Sequence, residues 1–535
     1  MKKQKRMRRE IRLIGLMFVS VSAVLGSGWL FAPLLASEQA GPAAILAWGL
    51  GGMAMFLIAL TFAEISAMLP VAGGIARMPQ FSHGGMVAMA MGWSAWIGYN
   101  TTAPIEVEAM LRYLLPHFGL AQDGNVQNWP GTLIAIGFLG LFTVINALGV
   151  RFFARVNEAL TWVKIAIPII IMAVLFWSRF DTANFTEAGG FSPYGLHGIF
   201  GAVSTGGIIF SYIGFRHAID MAGEVHRPGV TMPAALLLSV LICFLVYGGL
   251  QLAFIGSLPS DMLSNGWNGL LVDAKLGPIE AIATSLGLLW LISLLNVGAV
   301  LSPFGGGLVA TGSNARLAYA LAKNRFFPTF LTKLSKRGIP LMALLLNFAF
   351  SLLVYILLPF TEIVRLNSSA IVLSFVVGPI AVVSLRYLMP DRPRPMRLPA
   401  VNWIAAAAFV VATLVIYWSG WDTLWRLSLA LLAGLVLFLI RARFQDVGPL
   451  DAKSAAWLLP YLAGLGVISY LGTFGGQGIL PFGWDIAVIT AFALLVFAHA
   501  IACRLPPDRF AEQISDVPTQ SVNAETGRME KAATA

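Results

Sequence analysis

Charge is scarce in this chain of 535 residues: 11% are Asp, Glu, Lys or Arg, while 58% are hydrophobic. A soluble globular chain carries about 25% charged residues, so a water-soluble body is excluded. Cysteine is nearly absent. Cys243 and Cys503 both fall in apolar stretches, which excludes a disulfide framework and a thiolate metal site. Histidine is rare as well. His83, His197, His226 and His499 read as loop or interface residues without ligand spacing. The sequence holds no HExxH, no paired-cysteine motif and no nucleotide loop. No cofactor and no metal are therefore expected. A polytopic membrane enzyme would lack its usual catalytic cluster. Between apolar stretches the longest outer segments run roughly over 179–197 and 258–278, too short for a folded soluble domain.

What is present is a succession of apolar stretches long enough to cross a bilayer, about 20 residues each. About fourteen can be counted, from 13–35 to 484–503. They include 198–222, 279–312 and 362–388. The chain thus reads as an all-α polytopic membrane protein. The net charge of +10 raises the possibility of nucleic acid, but its distribution argues otherwise. With the N-terminus cytoplasmic and the spans alternating, only Arg112, Arg179, Lys275, Arg365 and Arg426 fall outside, and Lys164 falls within a span. All other Lys and Arg lie on the inner side, as the positive-inside rule requires. Topology accounts for the charge, no nucleic-acid partner is expected, and both termini are placed in the cytoplasm. The opening Met1–Arg9 is basic and precedes an apolar run too long for a signal peptide. It reads as an uncleaved first helix.

The first span contains Gly26-Ser27-Gly28 at its middle. Glycine costs roughly 1 kcal/mol in a helix interior. A membrane helix unwinds only where its freed N–H and C=O groups face protein, ligand or a water-filled cavity. A second such place is Phe210-Ser211-Tyr212-Ile213-Gly214. Interrupted spans at matching places in two halves point to the substrate site of a secondary transporter. The expected organisation is a basic N-terminus (1–12), a five-helix repeat (13–178), a second five-helix repeat (198–388), four additional helices (402–503) and a disordered tail (504–535). Five spans per repeat would invert the second repeat in the membrane. The last four helices lack comparable breaks and read as peripheral.

Gly26-Ser27-Gly28-Trp29-Leu30 resembles the first-helix motif of the amino acid–polyamine–organocation (APC) superfamily. So do Phe62-Ala63-Glu64-Ile65-Ser66-Ala67-Met68-Leu69-Pro70 with Gly73-Gly74, and Phe210 to Phe215 continuing to Ala222-Gly223-Glu224-Val225 and Pro228. Arg316-Leu317-Ala318-Tyr319-Ala320-Leu321-Ala322-Lys323-Asn324, read as following helix eight, is a fourth match. Ser204-Thr205-Gly206-Gly207 and Tyr417-Trp418-Ser419-Gly420-Trp421 resemble the bacterial aspartate:proton symporter branch. The resemblance implies a LeuT-like fold of five plus five helices and proton-coupled amino-acid uptake across the bacterial inner membrane. Its partners would be an amino acid, protons and the lipid bilayer.

The amides at Gly26-Ser27-Gly28 start a half-helix, whose positive end suits an α-carboxylate; close packing by small residues is the alternative. Carbonyls at Phe210 and Ser211 suit the substrate ammonium, with Tyr212 and Gly214 completing the segment. By the resemblance Phe210 is an aromatic gate; otherwise it is ordinary packing. Arg216 stands where many APC members carry an acid. It either clamps a second substrate carboxylate or snorkels to the interface. Lys164 matches a helix-five lysine whose ammonium replaces sodium in some proton-coupled relatives. Burial disfavours a charged amine, so Lys164 either carries the coupling proton or snorkels. Glu106, an intramembrane carboxylate, is a titratable candidate, whereas Glu108 reaches toward the outer interface. Glu64 is an inner gate or a structural salt bridge. Asp220 and Glu224 are expected in inner-side ion pairs. Antiport, a neutral amino-acid permease and a transporter-like sensor are the competing classes.

Overall fold

The computed structural model describes residues 11–71, 74–120, 127–270, 277–444, 447 and 449–514. The basic start, Gly73, Lys275 and the tail beyond residue 514 lie outside the described residues. The described chain is helical almost throughout. Its one extended pairing is the bridge between Ile11 and Val225. Long apolar runs in hydrocarbon must pair their backbone groups internally, and the α-helix does so.

The helices are α1 (Leu13–Val24), α2 (Gly28–Ala40), α3 (Ala44–Met68), α4 (Gly74–His83), α5 (Gly85–Leu114), α6 (Trp129–Ala147) and α7 (Val150–Ser178). Next come α8 (Gly195–Thr205), α9 (Ile208–Tyr212), α10 (Arg216–Asp220), α11 (Pro228–Ser257), α12 (Pro278–Ser285) and α13 (Leu289–Lys323). The remainder are α14 (Leu341–Leu357), α15 (Phe360–Phe375), α16 (Val377–Leu388), α17 (Val401–Trp418), α18 (Trp421–Phe444), α19 (Leu458–Leu471), α20 (Trp484–Ala502) and α21 (Pro507–Ile514). Among the described residues ten candidate membrane spans stand out by length and apolarity, or eleven with the bent pair of α8 and α9–α10. The other expected spans are occupied by helices of a different kind. α1 and α14 have only 12 and 17 residues, and the apolar run of α5 is interrupted by Glu106, Glu108 and Arg112.

The first span is broken as expected, between α1 and α2. The sixth differs. Its sharp bend, 46°, lies at Gly206–Gly207, where Gly207 takes a left-handed φ of 81° that costs a glycine little. The expected unwinding at 211–214 does not occur: Ser211 and Tyr212 lie in α9, and Ile213–Phe215 tighten into a 3-10 turn. Gly214 serves another purpose. A Cβ there would lie 2.6 Å from the Ala23 carbonyl carbon and 2.8 Å from Val24 Cα, so glycine lets helix six touch the backbone of α1.

Other boundaries shift for identifiable reasons. Arg316 suggests the end of the eighth span, yet α13 continues through it to Lys323, because Glu224 neutralises it at 2.7 Å. The same span begins with a separate short helix, α12. The expected disordered tail is helical over Pro507–Ile514; Phe510 is buried and Arg509 pairs with Asp451 at 3.1 Å. His83 is a fully buried core residue, its ring nitrogens placed against Ser82 Oγ and the Ala500 carbonyl, each at 2.9 Å. The four C-terminal helices are not all peripheral: α17 packs against α3, α8, α15 and α16.

α1 is wrapped by α7, α10, α11 and α13, and α5 crosses α13 and α15 beside it. The break in the first span is thereby enclosed by protein. Gly214→Ala should therefore destabilise the protein by roughly 1–3 kcal/mol, since neither backbone can yield. Gly248→Ala, with open space around it, is the control. Thermal unfolding of the purified protein in detergent checks this; equal melting temperatures for the two variants would contradict the close approach.

Candidate functional site

Unwinding at Leu25–Ser27 frees backbone groups that must find partners. Each partner comes from a different helix. The Ser27 amide donates to Glu106 Oε2 of α5 at 2.8 Å. The Val24 carbonyl accepts from Tyr247 Oη of α11 at 2.7 Å. The Ser22 carbonyl accepts from Lys164 Nζ of α7, which also reaches Ser22 Oγ at 3.1 Å. Both charged groups also approach α13. A Cβ on Gly305 would lie 2.8 Å from Lys164 Nζ, and one on Gly306 would lie 2.8 Å from Glu106 Oε1. Glu106 and Lys164 are essentially unexposed. Gly26 leaves room for the carboxylate, because a Cβ there would collide with it.

The amide expected to receive a substrate carboxylate is therefore held by a carboxylate of the protein itself. The positive end of the half-helix makes this favourable. Lys164 is buried rather than snorkelling, and it donates to the Ser22 carbonyl of α1.

The same face of α5 continues away from Glu106. Thr102 precedes it by four residues and Tyr99 by seven, so the three stand in line. Thr102 Oγ1 accepts from Arg216 Nη2 at 3.0 Å and from Asn367 Nδ2 at 2.8 Å. The Arg216 guanidinium lies over the Tyr99 ring, 4.1 Å from its centroid. Arg216 is 1% exposed, and its Nε and Nη1 have no hydrogen-bond acceptor. The snorkelling alternative is thus removed: the cation is buried in the protein. Tyr99 Oη donates to Asp220 Oδ2.

Other candidates separate from this line. Ser211 Oγ donates to the Gly207 carbonyl at 2.8 Å, and it lies so close to Gly28 that a Cβ there would strike it. Phe210 is partly exposed and packs beside Val354 of α14 and Ile105, the residue before Glu106 on α5. Tyr212 turns away; its ring lies edge-on to Trp48 at 5.6 Å and near Tyr247 at 6.2 Å. Glu64 is remote from the cluster. It binds Arg386 through contacts of 2.9 and 2.6 Å and accepts from the Leu398 amide at 2.8 Å, which is the salt-bridge alternative. Glu108 pairs with Arg112 at 3.2 Å. Glu224 makes the expected ion pair, but Asp220 does not; its partner is a phenol.

Ser22, Tyr99, Thr102, Tyr247 and Asn367 were not singled out from the sequence. The spacing of Tyr99 and Thr102 from Glu106 along one apolar helix could have indicated those two. Gly206–Gly207 was visible as a motif, and its bend was not. No group of three or more His, Cys, Asp or Glu suited to a metal occurs among the described residues.

A family model described as amino acid permease matches residues 11–439. An aspartate-proton symporter of Bacillus subtilis is 34% identical over 524 residues, covering 95% of this chain and 98% of that protein. The glutamate/serine transporter AimA of the same organism is 32% identical over 508 residues, covering 92% and 93%. The branched-chain amino acid permease BcaP, also from Bacillus subtilis, is 24% identical over 456 residues, covering 82% and 94%.

Removing the carboxylate at the break should be costly. Glu106→Ala leaves the buried Ser27 amide unpaired, a loss of about 1–3 kcal/mol. Glu106→Gln keeps an acceptor oxygen and should lose less. Melting temperatures of the purified variants test the order; an alanine variant as stable as wild type would show that the amide does not depend on Glu106.

Proposed function

The chain belongs to the amino acid permease family, and on that premise we propose that it takes up an acidic amino acid, aspartate or glutamate, together with protons. It is a multi-pass membrane protein and a permease, not an enzyme. We place it in the bacterial inner membrane with both termini cytoplasmic, on the charge distribution of its loops.

One observation carries the substrate class. Arg216 is buried one turn of α5 from Glu106, with Nε and Nη1 unused. A buried cation with free donors is a site for a carboxylate, which a guanidinium can bind through two N–H groups. An acidic amino acid brings a second carboxylate into the cavity. Without a partner that anion would cost several kcal/mol. The two relatives of highest identity quoted above carry aspartate and glutamate in their names, in agreement with this assignment. Serine in one of those names makes a neutral substrate the second reading to be tested.

Coupling follows from who holds the Ser27 amide. While Glu106 is ionised it occupies the end of the half-helix. A proton on Glu106 weakens its hold, and the substrate α-carboxylate takes the amide. The proton enters with the substrate because the two carboxylates share one donor site. Lys164 supports this arrangement by fixing Ser22 on α1 against α13. Its ammonium holds the Ser22 carbonyl and hydroxyl of α1. Loss of its proton would release α1, which suits the alternating exposure of a transporter. Phe210 stands beside Ile105, the residue before Glu106, where it would serve as the aromatic gate.

The test is radiolabelled uptake into proteoliposomes with an imposed pH gradient and a panel of competing amino acids. Aspartate or glutamate should accumulate, and unlabelled acidic amino acids should compete best. Arg216→Ala should weaken aspartate uptake by about two orders of magnitude, the scale of truncating one buried charge partner, and neutral substrates far less. Lys164→Ala should abolish accumulation driven by the pH gradient in a protein that still folds. Preference for neutral or cationic amino acids in wild type, or equal loss of all substrates in the arginine variant, would refute the substrate class. Undiminished accumulation by Lys164→Ala would refute its part in coupling.

A further inference from the structure

We infer that Asp220 is a second proton-binding site, which gains a proton when a substrate carboxylate takes over Arg216. This rests on the acidic-substrate reading above, and it adds a group that the Glu106–Lys164 coupling does not use.

Asp220 is completely buried at the end of α10, one helical turn beyond Arg216. Its Oδ2 accepts from Tyr99 Oη, and its Oδ1 has no hydrogen-bond partner. A buried carboxylate with one unpaired oxygen is costly unless a positive charge compensates it. The charged and titratable groups facing it are few. Tyr99 comes from α5, Arg216 and His217 from its own helix, and Arg316 from α13, with the Ile75 amide at the start of α4. Arg316 is already committed to Glu224 at 2.7 Å. His217 is buried, its Nδ1 has no partner, and its ring lies 5.2 Å from the Tyr99 ring. Arg216 is thus the one compensating cation in this group not bound to another acid. It forms no ion pair within 4.0 Å with Asp220, and Tyr99 lies between them, bound to the acid and stacked under the guanidinium.

Charge accounting then fixes the consequence. In the empty site, Arg216 and Asp220 balance. An acidic substrate adds one carboxylate, for which Arg216 holds two free donors. Once the guanidinium is engaged, Asp220 loses its compensation. Its carboxylate remains in a dry site with the Tyr99 phenol and the Ile75 amide as its donors and no cation free to compensate it. Taking up one proton restores neutrality and gives Oδ1 or Oδ2 a hydrogen. On substrate release the proton leaves and Arg216 again balances the acid. No bond other than O–H is made or broken. Behind Tyr99 lies a small cavity of about 10 Å³, where Tyr99, Thr143, Thr311, Asn314, Asn347 and Ser351 meet apolar Ala103, Leu139 and Phe348. Asn314 Oδ1 and Asn347 Nδ2 have no hydrogen-bond partners, and a cavity of this size and polarity suits one water.

The experiment measures protons taken up on substrate binding. Purified full-length protein in weakly buffered detergent solution, with a pH-indicator dye, is titrated with aspartate. Binding is followed in parallel by calorimetry. Asp220→Asn is isosteric and permanently neutral. It should bind aspartate and take up about one proton fewer per aspartate than wild type, and the dependence of its affinity on pH should be shallower by about one decade per pH unit. The same proton uptake and pH slope as wild type would overturn the proposal. Should Asp220→Asn fail to fold, Tyr99→Phe serves instead. It keeps the carboxylate and removes its donor, so proton uptake should move to higher pH; an unmoved profile would count against Asp220. If wild type binds no acidic amino acid, the substrate reading itself fails. If it binds aspartate and the variants take up protons as wild type does, only Asp220 is excluded.

Discussion

A membrane helix cannot leave backbone groups unpaired in hydrocarbon, and the rest of this structure depends on how the first helix meets that requirement. Its chain opens for one turn at Leu25–Ser27. Three side chains serve groups at this opening: Glu106 takes the Ser27 amide, Tyr247 serves the Val24 carbonyl, and Lys164 serves the Ser22 carbonyl. They come from α5, α11 and α7. The break is therefore a junction at which three other helices are tied to the first. Two of the three ties are charged groups whose hold depends on a proton. On the proposed coupling, strength of the junction and state of protonation are the same physical variable.

α5 carries this junction further. Along one face it presents Glu106 to helix one, Thr102 to Arg216 and Tyr99 to Asp220. Acid, guanidinium and acid alternate along a path only two helical turns long. In such a dry setting each charge senses the next, because little solvent screens them. On the proposed function, a molecule with two carboxylates and one ammonium would meet, in order, an amide already used by a carboxylate and a cation with unused donors. The bend at Gly206–Gly207 and the contact of Gly214 with the α1 backbone bring helix six into this path.

Much of this was legible in the sequence because the cost of violating a rule is high. Glycines in mid-span announced the break in helix one, and Glu106 and Lys164 announced themselves as charges inside apolar runs. Arg216 stood out against the acid that the family resemblance places there. What stayed hidden depended on geometry that no spacing encodes. Gly26-Ser27-Gly28 suggests an anion site, but not that Glu106 fills it. Gly214 was read as a break, whereas it permits helix contact; Gly206–Gly207, a motif in plain view, makes the bend. Arg316 suggested a span end, because its partner Glu224 lies 92 residues away. Tyr99 and Thr102 are common in membrane helices, and only Arg216 and Asp220 beside them give them meaning.

The central claim is that the substrate displaces Glu106 from helix one and draws its second carboxylate to Arg216. A structure of the full chain determined by electron cryomicroscopy with aspartate bound tests this most directly. The account predicts the α-carboxylate on the Ser27 amide, Glu106 withdrawn from it, and the side-chain carboxylate within hydrogen-bond distance of Arg216. Aspartate bound elsewhere, or bound while Glu106 still holds the Ser27 amide, would contradict it.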